Sequence, residues 1–396
     1  MLKRILFLCF GLIVSGFYLS AQPLPISVSA ESAILMNADT GVILYEKKAH
    51  TLQYPASITK IATALYALRK AENKMDTIIS AEQDAVASIT EEARRRSNYT
   101  VPAYWLVPGG SHIGIKTGEE LALKDLMYGL LVASGNDAAN VIAQFVGGTI
   151  PNFMTELNGC LKEIGCKNTT FTNPHGLYDP KHQTTAYDMA IVMREALKNK
   201  TFREIISTVR YKRPKTNKQE STTLVQTNKL LKKGKFYYAK ALGGKTGYLS
   251  TAGNTLVVAA KDGDRTLIAV LLKCKERDDL FNDAIKMFDT AFNQPKVQRV
   301  LLKAGPQKFV LDMPGAKKSI STYIQNDVAI EYYPAEEPKL KCLLQWTAAT
   351  PQIKKDQVVG ELRLQKDNGE NYQVIPLLAQ EDVSPTWAWS LKHLFR

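Results

Sequence analysis

Cysteine, histidine and tryptophan are all scarce in this chain of 396 residues, at five, five and four copies. One cysteine, Cys9, lies in an apolar run near the start. The other four, Cys160, Cys166, Cys274 and Cys342, are too few for a disulfide scaffold, and their spacing fits no metal motif. Only Cys160 and Cys166 lie close together, and a bridge between them stays open. His175 and His182 stand too far apart for a helical metal pair and read as structural. Acidic residues are also in deficit, 38 against 51 Lys and Arg, for a net charge of +13. That balance suits anionic membranes and anionic wall polymers, whereas no basic-aromatic module for nucleic acid is present. Long apolar runs are nearly missing. The single one covers residues 5–19, follows Lys3-Arg4 and precedes Ser20-Ala21, the marks of a secretory signal peptide. Cleavage after Ala21 is the first expectation and after Ala30 the second, with an uncleaved anchor as the alternative.

What is present is organised around Tyr54-Pro55-Ala56-Ser57-Ile58-Thr59-Lys60. Ser57 and Lys60 are three apart in a run of helix formers, so they share one face. Pro55 suits a first helical turn, which puts Ser57 near free backbone N–H groups. A serine hydroxyl attacks only when a neighbour takes its proton, and lysine does so when desolvation or nearby positive charge lowers its pKa. Further along, helical periodicity over 121–132 stops at Ser134-Gly135-Asn136, and Asp137 opens another helix. The tripeptide reads as a tight corner in which Gly135 lets the backbone turn. Lys245-Thr246-Gly247-Tyr248 precedes a hairpin of β-type runs at 255–260 and 267–272, so it reads as an edge strand able to pair with a peptide and hold its carboxylate. A second Lys-Thr-Gly, at Lys116, stands before the 121–132 helix with Glu119 and Glu120 at helix N-terminal positions, and reads as a decoy. Residues 32–37 and 42–45 form a hairpin, helices cover 150–164 and 185–197, and 82–118 is a surface loop with a short helix.

Ser57-Ile58-Thr59-Lys60, Ser134-Gly135-Asn136 and Lys245-Thr246-Gly247, in that order, resemble the penicillin-recognising serine enzymes. The segments around 55–65, 126–140, 173–177 and 244–253 resemble, more particularly, the low-molecular-mass penicillin-binding proteins that are D-alanyl-D-alanine carboxypeptidases. The likeness runs over 30–292 and continues more weakly beyond. It implies an α+β fold: an antiparallel five-stranded sheet flanked by helices, beside an all-helical lobe. It also implies Ser57 as acylated nucleophile, Lys60 as general base, Ser134 as proton relay and Asn136 on the peptide backbone. Lys245 would supply positive charge, Thr246 would hold the terminal carboxylate beside Gly247, and the N–H groups of Ser57 and Tyr248 would form the oxyanion hole. Arg277 matches a carboxylate-side arginine. No metal or organic cofactor is implied. The expected substrate is a peptidoglycan stem peptide ending in D-Ala-D-Ala, with β-lactams as covalent inhibitors. Against typical members of that family residues 89–108 look long, and the resemblance implies that they enter a loop flanking the cleft and shape access to it.

From residue 297 onwards short β-type runs read as a β-sandwich. At the end Trp387, Leu391, Leu394 and Phe395 share one helical face, which suits a helix lying in a membrane interface. The expected organisation is a signal peptide at 1–21, a serine carboxypeptidase domain at 22–295, a β-sandwich at 296–380 and an anchoring helix at 381–396, on the periplasmic side of the cytoplasmic membrane. The function expected is an exported D-Ala-D-Ala carboxypeptidase. A cross-link endopeptidase or a non-catalytic wall-binding protein are the alternatives. A β-lactamase is disfavoured because no Glu-x-x-x-Asn stands near 173–185.

Overall fold

The computed structural model describes residues 24–366 and 369–393. The signal-peptide reading, Leu394 and Phe395 therefore lie outside the described residues. The chain divides into two units, Pro23–Asn293 and Gln294–Arg396.

In the first unit β1 (Ser32–Asn37) and β2 (Ile43–Lys47) are followed by a 3-10 turn at Ala56–Thr59 and by α1 (Lys60–Ala71). Next come β3 (Ile78–Ser80), α2 (Glu91–Arg96), β4 (Glu120–Ala122), α3 (Leu123–Leu131) and α4 (Asn136–Gly147). Then α5 (Ile150–Glu163), α6 (Ala186–Ala196) and α7 (Lys200–Ser207) lead to the hairpin of β5 (Arg210–Arg213) and β6 (Thr222–Val225). The unit closes with β7 (Ala241–Leu249), β8 (Gly253–Asp262), β9 (Arg265–Cys274) and α8 (Arg277–Phe292).

The central sheet has the order β2-β1-β9-β8-β7 and is antiparallel throughout, so β7 is an edge, as the sequence predicts. Val257, Ala259, Ile268, Val270 and Leu272 join a core shared with α1, α3, α4 and α6. Alternate residues Leu256, Val258, Ala269 and Leu271 are equally buried, and α8 packs against β8 and β9. Covering both faces explains why these strands read as unbroken apolar runs instead of alternating ones. Side-chain caps fix where the helices begin: Thr149, Thr185 and Asn199 accept from the N–H groups of Asn152, Asp188 and Phe202.

Several local readings need correction. Ser57 lies in the 3-10 turn, and the α-helix starts at Lys60. The helix expected from 121 starts at Leu123, because Leu121 and Ala122 pair with Ile79 and Ile78 in the β3–β4 ladder. Glu119 is accordingly no helix-capping residue. It is buried, accepting from Lys116 N, Thr216 Oγ1 and Gln219 Nε2. At the corner before α4 it is Ser134, not Gly135, that takes the left-handed conformation, at φ 64°. Gly135 has φ −59° and is needed for space, since a Cβ there would sit 2.9 Å from Asp137 Oδ1 and 3.2 Å from Ala138 Cβ. All four described cysteines are free thiols, so the open Cys160–Cys166 bridge is absent; Cys160 Sγ accepts from Arg69 Nη1.

The second unit holds β10 (Val297–Leu302), β11 (Gly305–Leu311), β12 (Ile320–Ile324), β13 (Val328–Tyr332), β14 (Leu340–Trp346), β15 (Val358–Lys366) and β16 (Asn371–Ala379). A β10–β13 pair and a five-stranded sheet, β11-β12-β16-β15-β14, share a core of Val328, Leu362, Leu364, Ile375 and Leu377, the expected small β-domain. Helix α9 (Trp387–His393) follows.

Candidate active site

The turn carrying Ser57 is held from three sides. Thr255 Oγ1 on β8 donates to Pro55 O at 2.9 Å, and Thr59 Oγ1 donates to Ala56 O at 2.9 Å. Ala56 adopts φ 53°, a left-handed conformation that costs an L-residue about 1–2 kcal/mol. On the third side the loop 173–177 presses on the turn: Gly176 has φ 93°, and a Cβ there would meet Ala56 O at 1.9 Å. Asn173 Oδ1 folds this loop by accepting from the N–H groups of His175 and Gly176. His182 Nδ1 accepts from Thr172 N, so its Nε2–H donates to Thr59 Oγ1 at 2.9 Å. Burial lowers the His182 pKa to about 3, which keeps the ring neutral.

Lys60 is fully buried, and its Nζ has three neighbours: Ser57 Oγ at 2.9 Å, Asn136 Oδ1 at 2.7 Å and His175 O at 2.7 Å. Burial, then the positive charge of Lys245, push its pKa well below the ordinary lysine value, against a smaller pull from Asp137. A neutral amine has two N–H bonds and one lone pair. The two carbonyl oxygens only accept, so they take the N–H bonds and the lone pair faces the Ser57 hydroxyl. His175, read as structural, thus contributes its main-chain oxygen, while its ring bridges Leu177 N and Tyr104 O.

Ser134 and Asn136 are nearly buried and project from the corner into the same space. Asp137, read from the sequence only as the start of a helix, also holds that corner to the preceding loop. Its carboxylate accepts from the N–H groups of Ile113, Gly114, Ile115 and Ala138 at 2.8–3.0 Å.

Strand β7 forms the opposite wall. Gly247 is required there, because a Cβ would lie 2.8 Å from Ser57 N and 2.5 Å from Thr255 Oγ1. Thr246 Oγ1 donates to Thr227 Oγ1 at 2.8 Å. Lys245 is completely buried behind this surface, with Nζ donating to Thr246 O at 2.7 Å. Burial, and then the charge of Arg277, bring its pKa down to about 7. Arg277, matched by the resemblance to a carboxylate-side arginine, is the first residue of α8.

Ser57, Ser134, Asn136, Thr246, Gly247, Tyr248 and Arg277 line one cavity of about 570 Å³. Lys60 and Lys245 lie beneath its floor and wall, and Lys116 is not among the lining residues. The sequence reading missed Thr227, Gly110 and Leu177, which also line it. It also missed the anchoring of residues 89–108: Arg94, on the short helix of what reads as a surface loop, is buried and donates to the carbonyls of Ala103 and Trp105. Chemically the cavity offers a hydroxyl beside an amine whose proton affinity is lowered, a second hydroxyl, an amide and a cationic end.

Comparison with known proteins agrees with this geometry. The Peptidase_S11 family model, described as D-alanyl-D-alanine carboxypeptidase, matches residues 19–276. D-alanyl-D-alanine carboxypeptidase DacF of Bacillus subtilis (strain 168) is 33% identical over 368 residues, covering 89% of this chain and 86% of that protein. DacC of Escherichia coli (strain K12) is 29% identical over 385 residues, covering 90% and 85%. Among solved structures, the D-alanyl-D-alanine carboxypeptidase DacD from Francisella tularensis superposes with a TM-score of 0.60 at 25% identity, over 94% of this chain and 98% of that one. Penicillin binding protein 5 from Haemophilus influenzae gives 0.60 at 25%, over 91% and 99%. A serine hydroxyl facing a buried amine at the edge of an antiparallel sheet, and these matches along most of the chain, lead to one conclusion: the chain belongs to the D-alanyl-D-alanine carboxypeptidase family, Peptidase_S11, and is a serine-type carboxypeptidase.

Proposed function

We propose that Ser57 is the residue acylated when the enzyme removes the terminal D-alanine of peptidoglycan stem peptides, and that β-lactams acylate the same atom. The observation that carries this reading is the 2.9 Å approach of Lys60 Nζ to Ser57 Oγ by a fully buried amine. Lys60 takes the hydroxyl proton as Oγ attacks the carbonyl of the penultimate D-alanine. The N–H groups of Ser57 and Tyr248 bind the oxyanion, each donor being worth about 3 kcal/mol. As the C–N bond breaks, Ser134 passes a proton to the leaving amine, and water then hydrolyses the ester. Asn136 holds the peptide backbone, Gly247 lets it approach β7, and Thr246, Lys245 and Arg277 bind the terminal carboxylate. Ser57→Ala removes both labelling by a fluorescent penicillin and D-alanine release from a pentapeptide, whereas Lys116→Ala retains both. A dead Lys116→Ala beside an active Lys245→Ala would reverse the assignment of the tripeptides.

The protein is proposed to be exported, with cleavage after Ala21. Cleavage after Ala30 is disfavoured because the preceding residues are part of the fold. Leu24, Val28 and Ala30 are buried, and Ser29 donates from N and Oγ to Asp283 at 2.7 and 2.6 Å. Sequencing the mature N-terminus decides between the two, and a start at Glu31 would refute this assignment. Residues 89–108 are proposed to shape access for the stem, and their deletion should alter turnover on long muropeptides; unchanged kinetics on all of them would count against it. The second unit is proposed as a spacer ending in a peripheral membrane anchor at α9.

A further inference from the structure

Residues 210–240 carry ten Lys and Arg against one acid, Glu220, a large share of the cationic excess of the whole chain. Some of these charges are matched: Lys215 pairs with Glu220, Lys229 and Lys235 share Asp278, and Lys240 pairs with Asp262. Arg213 is buried and bonds the carbonyls of Pro214 and Glu220. Arg210, Lys212, Lys218, Lys232 and Lys233 are left, and among the described residues none has an acidic partner within ion-pair distance. All but the half-buried Lys232 are exposed.

Their placement is ordered. The β5–β6 ladder sets Arg210 opposite Val225 and Lys212 opposite Thr223, so these four share one exposed face. Two residues after β6 the chain reaches Thr227, which lines the cavity and accepts from Thr246 Oγ1. Beyond a 3-10 turn at Lys229–Leu231 come Lys232 and Lys233, and the adjacent Lys229 and Lys235 reach Asp278, the neighbour of cavity-lining Arg277. Unmatched cations thus approach the cavity along the chain from both sides of one of its wall residues.

We propose that this basic strip binds the polymeric form of the substrate, holding carboxylate-ended stems that neighbour the one in the cavity. The identity of the polymer rests on the carboxypeptidase reading; the charge pattern does not. Every untrimmed stem of such a polymer ends in a carboxylate, so a row of cations flanking a cavity wall residue along the chain meets a row of anions. A bilayer lying on the strip would cover the cavity wall at Thr227, which argues for a strand of polymer over a membrane. Binding of this kind is long-range and screened, the Debye length falling from about 30 Å at 10 mM salt to about 3 Å at 1 M.

The test uses the full chain with Ser57→Ala, so that the polymer is not consumed, sedimented with lipid-free insoluble peptidoglycan. Adding Lys212→Glu, Lys232→Glu and Lys233→Glu raises the half-saturating polymer concentration about tenfold at 10 mM salt, and the two proteins converge at 1 M. The corresponding triple Gln variant falls between them. In the background with Ser57 intact, all three hydrolyse a short, uncharged-side-chain peptide ending in D-Ala-D-Ala at the same rate. Equal polymer binding at 10 mM salt, or a proportional loss on the short peptide, overturns the proposal. So does a charge reversal that abolishes binding to phosphatidylglycerol vesicles and leaves polymer binding intact. A parent enzyme that binds polymer in this salt-dependent way yet releases no D-alanine would refute the carboxypeptidase reading and leave the strip standing.

Discussion

Lys60 and Lys245 are each completely buried, and among the described residues neither has a carboxylate within ion-pair distance. Burying two unpaired ammonium groups is expensive, so each lowers its affinity for a proton, and the charge of Lys245 adds to the effect on Lys60 as that of Arg277 does on Lys245. Lys60 is pushed well down, as its proposed role as base requires, while Lys245, brought to about 7, is about half charged at neutral pH and is fully charged for a carboxylate only below it. The signs follow. Raising the pH through about 7 strips the proton from Lys245 in the free enzyme and lowers kcat/KM, and on the acid side protonation of Lys60 lowers it again. Lys245→Arg keeps a cation at all these pH values, so its profile should lose the alkaline limb; a limb that persists near pH 7 would place the titration elsewhere. The residues with such chemistry were legible in the sequence, because Ser-x-x-Lys, Ser-Gly-Asn and Lys-Thr-Gly state their functional groups. Those that act through main-chain atoms or by lacking a side chain, such as the oxygen of His175 and the space at Gly110, were not, and neither was the hydroxyl of Thr227, which no motif marks; all three matter only once distant segments meet.

At the scale of elements, the site is a 3-10 turn squeezed between β7 and the loop 173–177, with a glycine at each contact. Gly176→Ala combines a left-handed φ with a Cβ 1.9 Å from Ala56 O, so the loop must move. The conformational part alone costs about 1–2 kcal/mol. Because the same loop supplies the His175 carbonyl to Lys60, acylation by a penicillin should slow by at least tenfold, measured by stopped-flow, along with a lower Tm. Gly247→Ala presses on Ser57 N instead, so it should cost about 100-fold in acylation, the scale of one lost oxyanion donor, with little change in Tm. Equal acylation rates in all three proteins would show that the squeeze is not functional. The paired runs at 32–45 and 255–272 were readable because their faces are uniformly apolar or their turns carry glycine. Helix α7 and the β5–β6 hairpin were not: in β5 only Arg213 is fully buried, by bonds to carbonyls, and Tyr211 is placed by stacking 3.8 Å from Tyr128.

For the molecule as a whole, each unit follows its own rules. In the second, Trp389 lies off the apolar stripe because it packs on its own unit: a Cβ at Gly315 would sit 2.4 Å from Trp389 Cδ1. Trp387 and Leu391 are left 76% and 52% exposed on α9. Removing residues 381–396 should therefore abolish sedimentation with anionic vesicles and spare D-alanine release; retained sedimentation would exclude α9 as the anchor. No helix of the described residues is long and apolar enough to cross a membrane, and the proposed anchoring through α9 is accordingly a surface attachment, not a span. All of this depends on acyl transfer at one hydroxyl. The direct test is peptide mapping by mass spectrometry of protein quenched while turning over a D-Ala-D-Ala peptide. The account predicts the acyl fragment, lacking the terminal D-alanine, on the peptide that contains Ser57; an adduct on Ser134, or none at any quench time during turnover, would contradict it.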